Sequence, residues 1–386
     1  MTPLPFYRVP GPAGESGLAH GRALPELFET AFHEAYIAAM MATNRVERSD
    51  MTLQASRWLE GLPANFQEEI DGMAVGAGVP VTQAAEFLYA DIARATRSAA
   101  VDASVVASSP IVDDELAAGA PGGPADGPGA GPMCSAVMAR PSGGANPWVA
   151  RNCDWLYATL MRGTAAVVHE TPNRIPTLAV GIRGDIDIDT GINAERLWLH
   201  LHTLLAVDDP PRDRTIISWL FWAREALELC ASLDDLERFI ERTGRDRGVI
   251  AVAVDGKTGE GAVFECSKSG HERFGFDPNR PLVATNHSQR KVVDAAREAK
   301  SRPESTVRRA CVLRRMVDEH APEHGPDDLI ELLGEDGVEM RTPRHLRTIY
   351  SAVCEPGAER LWFASGGVDG TPAASRGAWE RVSVAW

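Results

Sequence analysis

The residues whose types and order suggest chemistry are Cys134, Arg151 and Asp154. Cys134 follows Met133 at the end of a stretch, 113–132, made almost entirely of Gly, Ala, Pro and Asp, and it opens an apolar segment, MCSAVMAR. A free thiol titrates at about 8.5 and is little ionised at neutral pH, so a nucleophilic cysteine needs a neighbouring base or positive charge. If the Met133–Cys134 bond is cut, the new α-amine, titrating at about 7.7, supplies that base to its own side chain. It takes the thiol proton and returns it to a leaving amine. Arg151 and Asp154 stand in the next apolar segment, PWVARNCDW, where Arg151 is suited to stabilise a thiolate and Asp154 to hold the amine. Spacing alone leaves a second reading open, since a cysteine opening a strand is more often buried and inert than catalytic.

These residues need elements to hold them. MCSAVMAR, PSGGAN and PWVARNCDW read as strand, turn and strand, a hairpin that returns Arg151 and Asp154 alongside Cys134. TAAVVHE, PTLAVGI, RLWLHLHTLL, GVIAVAVD, GAVFECS and PLVATNH add short strand-like runs, and three more are expected near 346–354, 359–364 and 380–385. Helices interrupt them at about 215–230, 233–243 and 305–317. Residues 20–98 read as helical, with FQEEIDGMAVGAGV closed by Gly76 and Gly78 and Thr82 capping the next helix. Strand runs with segregated helices give an α+β layered domain. The stretch 113–132 has no material for a core and reads as an exposed linker, either an inert insertion or the join between two pieces meant to part.

Composition narrows the partners. A formal net charge of -15 repels phosphate backbones and anionic lipid, so neither nucleic acid nor a membrane surface is expected. No apolar run is long enough to span a bilayer, and the N-terminus lacks the pattern of a secretory signal, so the expected location is cytoplasmic. The other cysteines, Cys153, Cys230, Cys266, Cys311 and Cys354, show no zinc-type spacing and read as free thiols. His200 and His202 share one face of a strand, half of a metal site with no cluster to complete it; ordinary strand histidines are the stronger reading. GDIDIDTG, 184–191, alternates carboxylates and reads as a solvated strand or pocket rim. Trp219, Phe221 and Trp222 fit core packing better than an acyl pocket.

Taken together, MCSAVMA and WVARNCDW resemble the N-terminal-nucleophile cysteine hydrolases, a superfamily that includes the bile-salt and penicillin V hydrolases and acid ceramidase-like amidases. Within it the chain is most similar to the acyl-coenzyme A:6-aminopenicillanic acid acyltransferase family (peptidase family C45). Cys134-Ser135 matches the family's Cys-Thr/Ser start, and Arg151-Asn152-Cys153-Asp154-Trp155 its R/Q-N-x-D-W/F motif. EEIDGMAVGAGV, 68–79, resembles the propeptide pattern E-x-x-G-I-A-x-G-A-G. TGINAERL, 190–197, resembles G-M-N-E-x-G-L, VATNHSQ matches the T-N-H motif, and STVRR resembles an S-x-x-R helix start. The chain departs with Ala194 for Glu, Arg196 for Gly, and Met133 where the penicillin enzyme has Gly.

The resemblance implies a four-layer αββα sandwich with a helical N-terminal propeptide. It implies a helical segment 1–112, a linker 113–133 ending at the cleavage site, and a catalytic chain 134–386. It makes Cys134 the nucleophile flanked by Arg151 and Asp154, Asn286 an oxyanion donor, Asn193 a backbone oxyanion donor and Arg308 a supporting arginine. Ser135, Asn152 and His287 are expected behind them. The implied activity is self-processing, then cleavage or formation of a linear amide of a small acylated metabolite through a Cys134 thioester, without metal or cofactor. The two cleaved chains stay associated. The alternatives are an uncleaved scaffold that binds a partner and, more remotely, a zinc hydrolase on His200 and His202.

Overall fold

The computed structural model describes residues 4–44, 46–100, 133–141, 144, 146–155, 163–204, 208, 214–277, 280–289, 304–319, 325–340, 347–366, 374–383 and 386. The expected linker, up to residue 132, lies outside them.

Up to residue 100 the chain runs β1 (Phe6–Pro10), α1 (Ala13–Ala23), α2 (Thr30–Asn44), α3 (Arg48–Glu60), α4 (Ala64–Ala77) and α5 (Val81–Ala100). The helix expected from His20 onward is therefore divided: α1 ends at Ala23, and Pro25 starts a 3-10 turn before α2. Glycine sets the packing of α1 on α4. A Cβ on Gly17 would lie 1.9 Å from the Glu69 carbonyl oxygen, and one on Gly72 would lie 2.1 Å from that of Gly14. Only residues without a side chain let two backbones approach so nearly. Gly76 thus lies inside α4, against Leu18, and the helix is closed by Gly78 in the left-handed conformation.

After the linker the chain runs β2 (Met133–Ala139), β3 (Trp148–Trp155), β4 (Thr164–Glu170), β5 (Thr177–Ile182), β6 (Thr190–Asn193), β7 (Leu197–Leu204) and β8 (Thr215–Ile217). Helices α6 (Trp219–Leu229) and α7 (Leu233–Arg242) follow, then β9 (Thr243–Arg245), β10 (Gly248–Asp255), β11 (Glu260–Cys266), β12 (His271–Gly275) and β13 (Leu282–Ala284). The last elements are α8 (Glu304–Glu319), α9 (Pro326–Leu333), β14 (Arg347–Glu355), β15 (Arg360–Ser365) and β16 (Trp379–Ser383). One sheet has the order β1-β4-β5-β6-β7-β10-β11-β12, another β13-β2-β3-β14-β15-β16, and β8 pairs with β9. The sequence leads to a helical segment 1–112, but Phe6–Pro10 is a strand: β1 forms an edge of the first sheet, parallel to β4 with Phe6 opposite Ala166. Pro10 closes this strand, an edge position where its missing N–H costs no ladder bond.

Side-chain alternation sorts the core. Leu197, Leu199 and Leu201 of β7 face one way and pack with Phe66, Phe87, Trp222 and Leu236 from helices of both segments. Trp198, between them, faces the other way and joins Ile250, Ala136, Met138, Cys153 and Tyr350 between the two larger sheets. On the far side of the second sheet, Val137 and Ala150 pack against Leu313 of α8 and Leu332 of α9. The result is an α+β architecture in which β2 and β3 are covered on both faces. Among the described residues no helix is long and apolar enough to cross a membrane.

Candidate active site

The β2–β3 register puts Met133 opposite Asp154, Cys134 opposite Cys153, Ser135 opposite Asn152 and Ala136 opposite Arg151. Directly opposed residues share a face of the sheet. Cys134, Cys153 and Arg151 thus point between the two sheets, while Ser135, Asn152 and Asp154 point toward α8 and α9.

Between the sheets, Arg151 is fully buried. Its Nη2 donates to Cys134 Sγ at 3.2 Å. Its Nη1 donates to the Asp189 carbonyl oxygen at 3.1 Å, to the Asp189 carboxylate, and to Thr190 Oγ1 at 2.6 Å. Burial works against the charged guanidinium, but Asp189, with Tyr350, Cys134 and Cys153 adding to it, outweighs burial and keeps Arg151 protonated. Tyr350 closes the group, its ring 5.3 Å from the guanidinium and its hydroxyl 2.8 Å from Thr190 Oγ1.

The peptide of Cys134 is held on two more sides. Its N–H donates to Asn286 Oδ1 at 2.7 Å, and its carbonyl accepts from Arg309 Nη1. Arg309 also donates to Ser135 Oγ at 2.8 Å and to Asn286 Oδ1 at 3.0 Å. Asn286 in turn donates through Nδ2 to Thr203 O at 3.1 Å and Thr203 Oγ1 at 3.2 Å. Its own N–H donates to Thr306 Oγ1 at 2.8 Å, tying the end of β13 to α8. His287 reaches Thr285 and Thr306, so it bears on Asn286 through that threonine.

Asp154 is buried on the face toward the helices. Thr348 Oγ1 donates to its Oδ1 at 2.6 Å, and its Oδ2 has no hydrogen-bond partner among the described residues. Burial pushes its carboxyl up to about 6, against the pull of Arg309 and the Thr348 hydroxyl. Behind it Asn152 serves the fold: Nδ2 donates to Leu333 O and Oδ1 accepts from Ser351.

Two expected positions differ. Arg308 is exposed on α8, and the arginine on Cys134 is its neighbour Arg309. Successive helical residues point about 100° apart, so only one of the pair can face β2. Asn193 is not beside the thiol. Its side chain donates to Leu227 O and Cys230 O and accepts from the N–H groups of Glu195 and Leu197, stapling the β6–β7 turn. It stands three residues along an extended strand from Thr190, roughly 10 Å. In the same turn Arg196 has φ 60°, a left-handed conformation that suits the glycine of the related pattern and strains an arginine.

Asp189, Thr190, Thr203, Arg309, Thr348 and Tyr350 were not singled out by sequence reasoning. Asp189 alone had a signal, the alternating carboxylates of 184–191. Those carboxylates edge a small cavity, partly open to solvent, with Cys153, Val167, Val180, Ile188, Trp219 and Tyr350 among its walls. Trp219 edges this cavity but is buried in the core with Phe221 and Trp222. His200 accepts from Trp198 Nε1 at 2.9 Å, and His202 lies 2.9 Å from Thr285 O. Burial lowers both imidazoles far below their ordinary range, so they pack as neutral rings. No third metal ligand is gathered with them among the described residues.

The sequence profile of the acyl-coenzyme A:6-aminopenicillanic acid acyl-transferase family matches residues 140–369. The match spans Arg151, Asp154, Asn286 and Arg309 and begins just after Cys134. Among solved structures, the Caenorhabditis elegans ortholog of N-acylethanolamine-hydrolyzing acid amidase is 16% identical, over 58% of this chain and 93% of that one, with a TM-score of 0.43. Penicillin V acylase from Agrobacterium tumefaciens is 13% identical over 60% and 83%, at 0.45. A mutant conjugated bile acid hydrolase from Clostridium perfringens is 9% identical over 65% and 97%, at 0.43. At that distance no residue role or substrate is taken from them. No curated protein matches the chain.

Proposed function

The chain belongs to the acyl-coenzyme A:6-aminopenicillanic acid acyl-transferase family, among the N-terminal-nucleophile hydrolases and acyltransferases, and we propose that Cys134 becomes its N-terminal nucleophile by self-cleavage. The observation that carries this reading is the grip on Cys134: Arg151 on the sulfur, Asn286 on the nitrogen, Arg309 on the carbonyl. Any buried peptide needs partners for its N–H and carbonyl, but an inert core thiol needs no guanidinium on its sulfur.

In the first reaction Cys134 Sγ attacks the Met133 carbonyl carbon. The C–N bond breaks, the acyl group moves to sulfur, and the nitrogen leaves as an amine carrying the thiol proton. Water hydrolyses that thioester, freeing the Met133 carboxyl group and the thiol. Segments 1–133 and 134–386 then remain together as two chains, the first acting as a helical pro-segment. The layers read as the αββα sandwich of such enzymes. The free oxygen of Asp154, across the register from Met133, is suited to accept from the new α-ammonium.

In the second reaction the α-amine takes the thiol proton, sulfur attacks the carbonyl carbon of a linear amide, and Arg151 balances charge on the sulfur. Asn286 Nδ2, turned from Thr203, donates to the tetrahedral oxyanion. The α-ammonium returns its proton to the leaving amine, and a thioester remains. Water or a second amine resolves it; hydrolase and acyltransferase differ only in that acceptor. The apolar walls of the cavity beside Cys153 suit a small acylated metabolite.

The test is to mix the protein with a panel of N-acyl amino acids, acylated amines and β-lactam side-chain amides, quench in acid and map adducts by mass spectrometry. An acyl group on the Cys134 peptide is expected, absent in Cys134→Ala. Turnover by Cys134→Ala, or an adduct at another residue, would overturn the reading.

A further inference from the structure

Cys134 has a second thiol against it. Its partner across the hairpin is Cys153, and the two side chains interact directly. Opposed residues on antiparallel strands have Cα atoms about 4.5–5.5 Å apart. That falls inside the window of about 4.4–6.8 Å in which a disulfide forms. Both thiols are buried, yet Cys153 also walls the partly open cavity, so a small solute approaches the pair from the Cys153 side.

The two sulfurs lie in opposite fields. Arg151 donates to Cys134 Sγ at 3.2 Å, while Cys153 donates to the Asp189 carboxylate at 3.4 Å. A cation faces one sulfur and an anion the other. Burial, with Cys134 and Asp189 adding to it, pushes the Cys153 thiol well up, so it keeps its proton. Arg151 is placed to balance charge on Cys134 sulfur, and Asp189 to take the Cys153 proton as that sulfur follows, the division of labour in a peroxide-sensitive pair.

We propose that Cys134 and Cys153 form a redox modification site that takes a small hydroperoxide, with Cys153 as the resolving thiol. The Cys134 thiolate attacks the peroxide oxygen, the O–O bond breaks, and the departing alkoxide or hydroxide takes up a proton. Cys134 is left as a sulfenic acid. As Cys153 sulfur attacks Cys134 sulfur, its proton passes to the Asp189 carboxylate it already faces, the S–O bond breaks, and the hydroxide leaves as water with that proton. In sum, two thiols and one hydroperoxide give a disulfide, one alcohol or water, and one further water. A dithiol reductant reverses the outcome. The disulfide removes the nucleophile in both precursor and mature protein, and it spares Cys134 from irreversible oxidation to the sulfinic acid. Only the effect on turnover rests on the reading of Cys134 as nucleophile; the cross-link itself does not.

The experiment treats the folded, full-length protein with hydrogen peroxide, denatures it in an alkylating agent and digests it without reductant. A peptide joining Cys134 to Cys153, lighter by two hydrogens, is expected, with turnover lost and then restored by dithiothreitol. In Cys153→Ser the same dose should carry Cys134 to the sulfinic acid, a gain of two oxygens that dithiothreitol does not undo. If wild-type Cys134 and Cys153 are both recovered alkylated, or if wild-type Cys134 goes directly to the sulfinic acid, the proposal is overturned. The wild-type peptide map decides the matter even if Cys153→Ser misfolds. It also reads out where reduced protein turns over no amide, so failure of the redox site and failure of the enzyme assignment give different results.

Discussion

Two groups of buried charge in this molecule use the same residue types to opposite ends. Among the helices, Arg224 of α6 donates from Nε to Glu228 at 3.0 Å, from Nη2 to Glu69 at 2.8 Å and from Nη1 to Ile186 O at 2.5 Å. Every nitrogen of that guanidinium is engaged, and Glu69 ties α4, before residue 101, to α6, after residue 132. On the β2–β3 hairpin, Arg151 keeps Nε, and Asp154 keeps Oδ2, without a partner among the described residues. Buried polar atoms are nearly always paired, so the complete Arg224 set is a clasp, while the Arg151 and Asp154 atoms are left able to meet another group. Charge and burial do not separate the two; completeness does.

The comparison breaks first at Arg224. Arg224→Met leaves Glu69 and Glu228 buried without their cation and should cost about 3–5 kcal/mol of stability, read as a lower urea midpoint. Arg151→Met should mainly lose turnover. Equal stability losses in the two variants would remove the distinction between clasp and site.

Asn286→Ala sharpens the other side. It should yield folded, cleaved protein whose kcat/KM falls by about 10²–10³, or about 2.7–4 kcal/mol. An uncleaved or unfolded product would make Asn286 a support for the hairpin, since it also accepts from Cys134 N. Normal turnover by a mature variant would take it out of the mechanism.

The two groups should also answer pH with opposite signs. Burial and Arg224 lower His20, beside the clasp, from 6.5 to about 4. Its contribution is present above pH 6.5 and lost as pH falls through about 4. Asp154 is raised from 3.8 to about 6, so its contribution is present below pH 3.8 and lost as pH rises through about 6. Each shift corresponds to about 3 kcal/mol at full titration. In a Cys134→Ala background, which keeps the Met133–Cys134 bond, adding His20→Leu should flatten the acid loss of stability between pH 7 and 4. Adding Asp154→Asn should steepen it. Urea midpoints at the two pH values check both signs, and a shared sign would contradict the burial argument.

The smallest effect belongs to Arg308. Exposed on α8, it should tolerate Arg308→Ala within about 0.5 kcal/mol. Arg309→Met, which releases the Cys134 carbonyl, should lower both melting temperature and the extent of cleavage. The reverse ranking would return the role to Arg308.

What the sequence made legible follows from period and order. The hairpin could be read because two short apolar runs, MCSAVMAR and PWVARNCDW, flank a Ser-Gly-Gly turn, and the alternation of side chains along any strand fixes which of them share a face. The helix carrying Arg308 and Arg309 was legible too, but its phase was not: with two arginines in succession, a one-residue choice turns the side chain by about 100°. The stretch GESGLAHG in α1 hid its helix because glycine is a poor helix former, and only the approach to α4 explains its presence. Asn193 sits in a turn whose pattern does not distinguish a staple from an oxyanion donor. Asp189, Thr190 and Tyr350 reach Arg151 from distant strands, and no local pattern announces a contact of that kind.

The central claim, that Cys134 becomes a chain terminus, is tested most directly by intact mass with N-terminal sequencing of wild type and Cys134→Ala. The account predicts two associated chains from wild type, 1–133 and 134–386, the second beginning Cys-Ser-Ala-Val, and one full-length chain from the variant. A wild-type protein that turns over acyl amides as a single uncut chain, or a Cys134→Ala protein that still parts before residue 134, would contradict it.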